Sequence, residues 1–132
     1  MNSTSEKILA SKINVTVNTS FVTELVDNGE PIFVFSYTIK IHNSNTLPVQ
    51  LISRYWLITD GEGEEVEVSG DGVVGQQPII EAGKTYEYSS GCHLKTPFGT
   101  MQGHYVMKST HHNEPLEVTI PLFRLALPYC VN

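Results

Sequence analysis

The chain has 132 residues, of which 40% are apolar and 17% charged, and a formal charge of −6. That length and composition call for one globular core and exclude the disordered class. The negative charge, with eight basic residues scattered along the chain, excludes a phosphate-neutralising nucleic-acid surface, and no apolar run approaches the roughly 20 residues of a membrane-spanning helix.

Met1 through Lys7 is polar, and Ile8-Leu9-Ala10 is too short for the apolar region of a secretion signal, so a soluble, cytoplasmic protein is expected. Residues 1–12 are read as a flexible N-terminal segment, 13–127 as the folded domain and 128–132 as a tail. From Ile13 the apolar side chains alternate through Val15 and Val17 to Phe21, the period of a strand with one buried face. A polar turn, Asp27 to Pro31, leads to a longer strand in which Phe33, Phe35, Tyr37, Ile39 and Ile41 share a face. Beyond the loop at Asn43 to Thr46, Val49 to Thr59 carries large groups on both faces. Leu51, Tyr55 and Leu57 are set against Ile52, Trp56 and Ile58, as in a central strand covered on both sides.

Asp60-Gly61-Glu62-Gly63 reads as a hairpin turn, with Val66 and Val68 on the return strand. Ala82-Gly83 turns the chain into Tyr86 and Tyr88. Met101 to Met107 and Leu116 to Leu125 follow as further strands. Seven or eight short strands joined by Gly, Pro, Asn and Asp, without helical periodicity, predict an all-β sandwich of two antiparallel sheets.

Gly70, Gly72 and Gly75 form a GxGxxG pattern, which in dinucleotide-binding folds admits a pyrophosphate at a helix N-terminus. Here Pro78 and the strand-like Ile79-Ile80 oppose a following helix, and Asp71 places a negative charge in the cradle. The pattern therefore reads first as a glycine-rich loop between strands, with anion binding by backbone N–H groups as the second reading. Among the five histidines, His42, His104, His111 and His112 are the candidates for a metal, but adjacent His111 and His112 diverge and the others lie on separate strands.

Cys92 and Cys130 have no metal-type spacing and are expected to be free thiols, with a bridge between them as the alternative. Cys92-His93 lacks the flanks of a nucleophile and base pair, so no catalytic residue is assigned. Trp56 is expected between the sheets. Pro97, Gly99 and Gly103 mark a bend and a close backbone approach.

Two long stretches give the chain a family resemblance. One is Val49-Gln50-Leu51-Ile52-Ser53-Arg54-Tyr55-Trp56-Leu57-Ile58-Thr59-Asp60, continued by Val68 to Ile80. The other is Ser89 to Tyr105, including Lys95-Thr96-Pro97-Phe98-Gly99-Thr100-Met101-Gln102-Gly103-His104. Together they resemble the bacterial ApaG family, with Ala82-Gly83 standing where that family commonly has Pro-Gly.

The resemblance implies a fibronectin type III-like or immunoglobulin-like sandwich. It also implies an indirect link to cobalt and magnesium resistance or efflux, and a contact of Gly70, Gly72 and Gly75 with pyrophosphate or a nucleotide. The functional expectation is a non-catalytic binding domain without a cofactor, recognising a protein partner or a phosphate-bearing ligand through its loops and a sheet edge. A soluble metal-responsive factor is the alternative, and a phosphate-processing enzyme, with Arg54 and Lys84 as its nearby cations, a third. An exposed edge also permits a homodimer.

Overall fold

A computed structural model describes residues 7–130, the side chain of Cys130 excepted. The described chain is built almost wholly of strands: β1 (Ile13–Asp27), β2 (Glu30–Asn43), β3 (Val49–Asp60), β4 (Glu65–Asp71), β5 (Ile79–Ile80), β6 (Thr85–Leu94), β7 (Phe98–Ser109) and β8 (Pro115–Ala126). Two 3₁₀ turns, Ala10–Lys12 and Pro128–Cys130, flank them. Among the described residues no helix is long and apolar enough to cross a membrane.

The strands form two antiparallel sheets, one ordered β1-β2-β6 and the other β4-β3-β7-β8, with β5 paired to β3. The predicted two-sheet sandwich is the observed fold. Alternation in β2 buries Phe33, Phe35, Tyr37, Ile39 and Ile41 on one face, as its sequence requires. Trp56 is 2% exposed and meets Tyr37 of the opposite sheet and Phe123 of its own sheet edge-on, at 5.6 and 5.7 Å between ring centroids.

Strand β3 departs from its simple alternation. A register shift between Leu51 and Ser53 against β7 resets the parity, so that Val49 and Leu51 point inward and then Arg54, Trp56 and Ile58 do. Tyr55 and Leu57 therefore lie on the outer face, half-buried by their neighbours within the sheet rather than by a covering layer. The simple alternation that sets Leu51, Tyr55 and Leu57 against Ile52, Trp56 and Ile58 is broken by this bulge, which leaves Leu51 on the same face as Trp56.

The turns follow local chemistry. Asn28 and Gly29, at φ 52° and 80°, close the β1–β2 hairpin as a two-residue turn of the type that matches strand twist. At the β3–β4 turn the Asp60 carboxylate accepts the N–H groups of Glu62 (2.8 Å) and Glu64 (3.0 Å).

The loop after β2 is anchored by Asn43, which is fully buried. Its amide donates to the carbonyls of Leu47 (2.9 Å) and Ile80 (3.0 Å), and its Oδ1 accepts from Asn45. Asn45 in turn exchanges hydrogen bonds with the backbone of Leu9 at 2.8 and 3.2 Å. Of the expected N-terminal segment, Leu9 is thus tied to the domain, while residues 1–6 lie outside the described residues, as do 131–132.

Candidate functional site

The glycine-rich stretch is a strap between β4 and β5, with no helix after it. Gly72 N–H donates to the Ile52 carbonyl (2.8 Å). Val73 and Gln76 exchange N–H···O bonds of 2.8 and 3.0 Å around Val74 and Gly75. With φ of 47° at Val74 and 77° at Gly75, this is a type I′ turn, and its first central residue is β-branched. A β-branched residue at positive φ is an outlier, because its Cβ crowds the carbonyl. Val73 is fully buried and plugs the space between the sheets, whereas Val74 is 61% exposed.

The bulge in β3 turns Arg54 into the same space. Its Nη1 donates to the carbonyls of Asp71 (3.0 Å) and Gly72 (2.9 Å), which fastens the guanidinium under the strap. The side chain crosses β4 over Gly70, where an added Cβ would stand 3.2 Å from Nη1. The first glycine of the motif thus makes room for an arginine of its own chain. Among the described residues no carboxylate forms an ion pair with Arg54, the two ion pairs being Lys40–Glu87 and His104–Glu117.

Arg54 lines a pocket of about 190 Å³ together with Tyr37, Trp56, Tyr88, Ser90 and the strap residues Val73 to Gly75. The Tyr37 ring and Ser90 line it side by side. Burial raises the Tyr37 pKa, opposed by the neighbouring Ser90 and Arg54. Tyr88 and Tyr105 share a buried hydroxyl–hydroxyl bond of 2.5 Å, and burial raises both pKa values well above that of a free phenol. The pocket therefore offers one fixed positive charge and hydroxyl groups that stay protonated, an arrangement suited to an anion.

Gly70, Gly72 and Gly75 all lie in or beside this pocket, but the strap commits the Gly72, Val73 and Gln76 N–H groups to the chain itself. The cation that sequence reasoning set aside as merely nearby, Arg54, is the charged group of the site. Lys84, the other one, follows the Gly83 turn, where its carbonyl bonds to Asn43. The sequence marks Tyr37 and Tyr88 only as strand residues, and Ser90 only as part of the stretch that carries the family resemblance. The available signal was the placement of Arg54 in step with Trp56 and Ile58, an arginine in the inward register.

The four candidate histidines are not brought together. His42 lies on the outer face of β2, its Nδ1 2.8 Å from the Thr85 hydroxyl. His104 lies on the outer face of the other sheet, stacked on Tyr55 at 5.1 Å and 3.8 Å from Glu117. His111, with Nδ1 3.2 Å from the Thr110 hydroxyl, and His112 belong to the loop after β7. Among the described residues no group of three or more His, Cys, Asp or Glu side chains is placed to hold a metal ion. Cys92 is a buried free thiol on the inner face of β6, and desolvation pushes its pKa up to about 11. The Cys130 side chain lies outside the described residues, and any approach of the two cysteines with it.

Comparison with known proteins agrees with this architecture. The family model of the ApaG domain matches residues 24–109. Protein ApaG of Proteus mirabilis is 46% identical over 123 residues, covering 93% of this chain and 98% of that protein. Protein ApaG of Escherichia coli O139:H28 is 52% identical over 100 residues, covering 76% and 79%. A crystal structure of a Bordetella pertussis protein named as an ApaA protein superposes with a TM-score of 0.81 at 47% identity, covering 88% of this chain and 94% of that one. The C-terminal domain of Wzt, at 7% identity and a TM-score of 0.53, shares the fold alone. The strap, the inward arginine and the two-sheet frame thus belong to a chain that matches its relatives almost end to end, and the chain is a member of the ApaG family.

Proposed function

We propose that this ApaG-family chain is a non-catalytic binding domain whose small-ligand site is the pocket under the glycine strap, where Arg54 takes a phosphate group. The observation that carries this reading is the Arg54 guanidinium. It is fixed by the carbonyls of Asp71 and Gly72, has no carboxylate ion pair among the described residues, and lies beside the hydroxyl groups of Tyr37 and Ser90. A guanidinium has five N–H donors, so the loop bonds leave capacity for a phosphate oxygen.

The size of the pocket narrows the ligand. Sites for drug-sized molecules run from about 300 Å³ upward, whereas this pocket holds about 190 Å³. It suits a phosphate or pyrophosphate group, and a nucleotide would leave its base outside. Val74 and Gly75, whose N–H groups take no part in the turn's own pair of bonds, supply the backbone contribution of the strap.

The chemistry around the pocket supports binding over turnover. Catalysis by Cys92 would need a thiolate, and a thiol raised to about 11 is protonated at neutral pH. Calorimetric titration with pyrophosphate is expected to give saturable binding that Arg54→Gln abolishes and Ser90→Ala weakens. Heat of dilution alone would remove the ligand reading, and steady release of orthophosphate from pyrophosphate at an enzymatic rate would overturn the non-catalytic one.

A further inference from the structure

The two sheets do not match in width. Strands β1, β2 and β6 face four principal strands, and β4 overhangs the side on which β6 ends its sheet. In register, Val68 pairs with Trp56 and Val66 with Ile58, so both valines point to the inner face together with core residues. Nevertheless Val68 is 37% and Val66 58% exposed, because the opposite sheet has no strand above them.

The β6 edge beside this uncovered floor is equally open. β6 pairs with β2 alone, in a continuous register through Phe33↔Leu94. An unpaired strand edge is a template for another strand, and proteins commonly blunt it with prolines, bulges or charges. The other edges here carry such devices. β8 has Pro115 and Pro121 and a register shift, β1 has a shift between Phe21 and Thr23, and β4 has Glu65 and Glu67. From Ser89 to Leu94, β6 has no proline, no shift and no acidic, lysine or arginine side chain.

Charge bounds this lane at one end. The β3–β4 turn is fastened beside the end of β6 by the 2.7 Å bond from Gly61 N–H to the Thr96 hydroxyl. The turn itself carries Asp60, Glu62 and Glu64 against the single Lys95 beyond Leu94, while Glu65 and Glu67 alternate with the two valines onto the outer face, Glu67 accepting from the Tyr55 hydroxyl. At the other end the strap places Val74, 61% exposed, near Tyr88 and Ser90.

From the open edge, the apolar floor and the acidic end together, we propose that β6 takes up an extended segment of a partner protein as an added strand. Main-chain hydrogen bonds to Ser89–Leu94 supply its affinity. Alternate apolar side chains of the segment cover Val66 and Val68, and its Lys or Arg residues meet the acidic turn. A second copy of this chain, itself acidic overall, would bring like charge to the lane.

Selection from a displayed library of random peptides of about nine residues, long enough for one strand, tests this directly. Enriched sequences are expected to alternate apolar and polar residues and to carry Lys or Arg. Bound to the ¹⁵N-labelled protein, they should slow amide exchange within Ser89–Leu94 and shift Val66 and Val68. Val66→Lys combined with Val68→Lys should weaken binding about tenfold or more, and Glu62→Gln with Glu64→Gln should flatten its salt dependence. Both variants should keep their melting temperatures and their response to pyrophosphate.

No enrichment over the naive library would overturn the proposal, as would enriched peptides that protect β1 or the His111 loop instead. Concentration-dependent protection of β6 without peptide would also overturn it, by assigning the edge to a second copy of the chain.

Discussion

Replacing Val74 by Asn should stabilise the protein. In the type I′ turn Val74 stands at φ 47°. A left-handed conformation costs a non-glycine residue about 1–2 kcal/mol, while Asn bears it readily and Asn-Gly is a preferred central pair for this turn. The opposing loss is small. With Val74 61% exposed, less than half of its surface is covered, worth about 0.6 kcal/mol of apolar burial. The net expectation is a gain of about 0.5–1 kcal/mol, or about 2–4 °C in melting temperature for a domain of this size.

The neighbouring position should answer with the opposite sign. Gly75, at φ 77°, has open space where a Cβ would stand, so Gly75→Ala meets no clash and should lose about 1–2 kcal/mol to backbone conformation alone. Paired thermal melts followed by circular dichroism measure both. A lower melting temperature for Val74→Asn, or an unchanged one for Gly75→Ala, would refute the assigned turn.

Three further predictions follow from the core. Tyr88→Phe or Tyr105→Phe alone should cost about 1–2 kcal/mol by orphaning the partner hydroxyl, and the double variant should cost less than the sum, as read from urea unfolding. Cys92 and Tyr88 have pKa values raised by burial, so the unfolded chain loses these protons first. That part of stability is complete below about pH 9 and falls as pH rises toward 11. A stability profile that stays flat through this window, or rapid iodoacetamide alkylation of Cys92 in the folded protein at neutral pH, would contradict it. Gly103→Ala should cost about 2–3 kcal/mol in the same unfolding assay, because the added Cβ meets the Tyr55 carbonyl of the adjacent strand, and near-neutrality would show that β3 and β7 can part there.

Much of the frame was legible from the chain. The alternation from Phe33 to Ile41 specifies one buried face without help from elsewhere, and Trp56 as the only tryptophan falls between the sheets as anticipated. What escaped is traceable to single residues. The bulge next to Ile52 has no distinctive sequence signal, yet it decides whether Arg54 points to solvent or under the strap.

The turn at Val74 was unreadable for the opposite reason, since conformational preference argues against valine at positive φ and only the surrounding fold imposes it. Asn43 looked like loop punctuation. Its role as a buried junction depends on carbonyls of Leu47 and Ile80, which only the folded chain brings to it. The width mismatch that bares Val66 and Val68 is likewise a property of sheet order, which alternation along one strand does not encode.

An amide NMR titration of the ¹⁵N-labelled protein with pyrophosphate tests the binding account most directly. Saturable shifts at Gly70 to Gly75, Tyr88 and Ser90, moving together with the Arg54 Nε–H resonance and lost in Arg54→Gln, are the predicted result. A spectrum unchanged at those positions would contradict it and leave the strap a structural closure between the sheets.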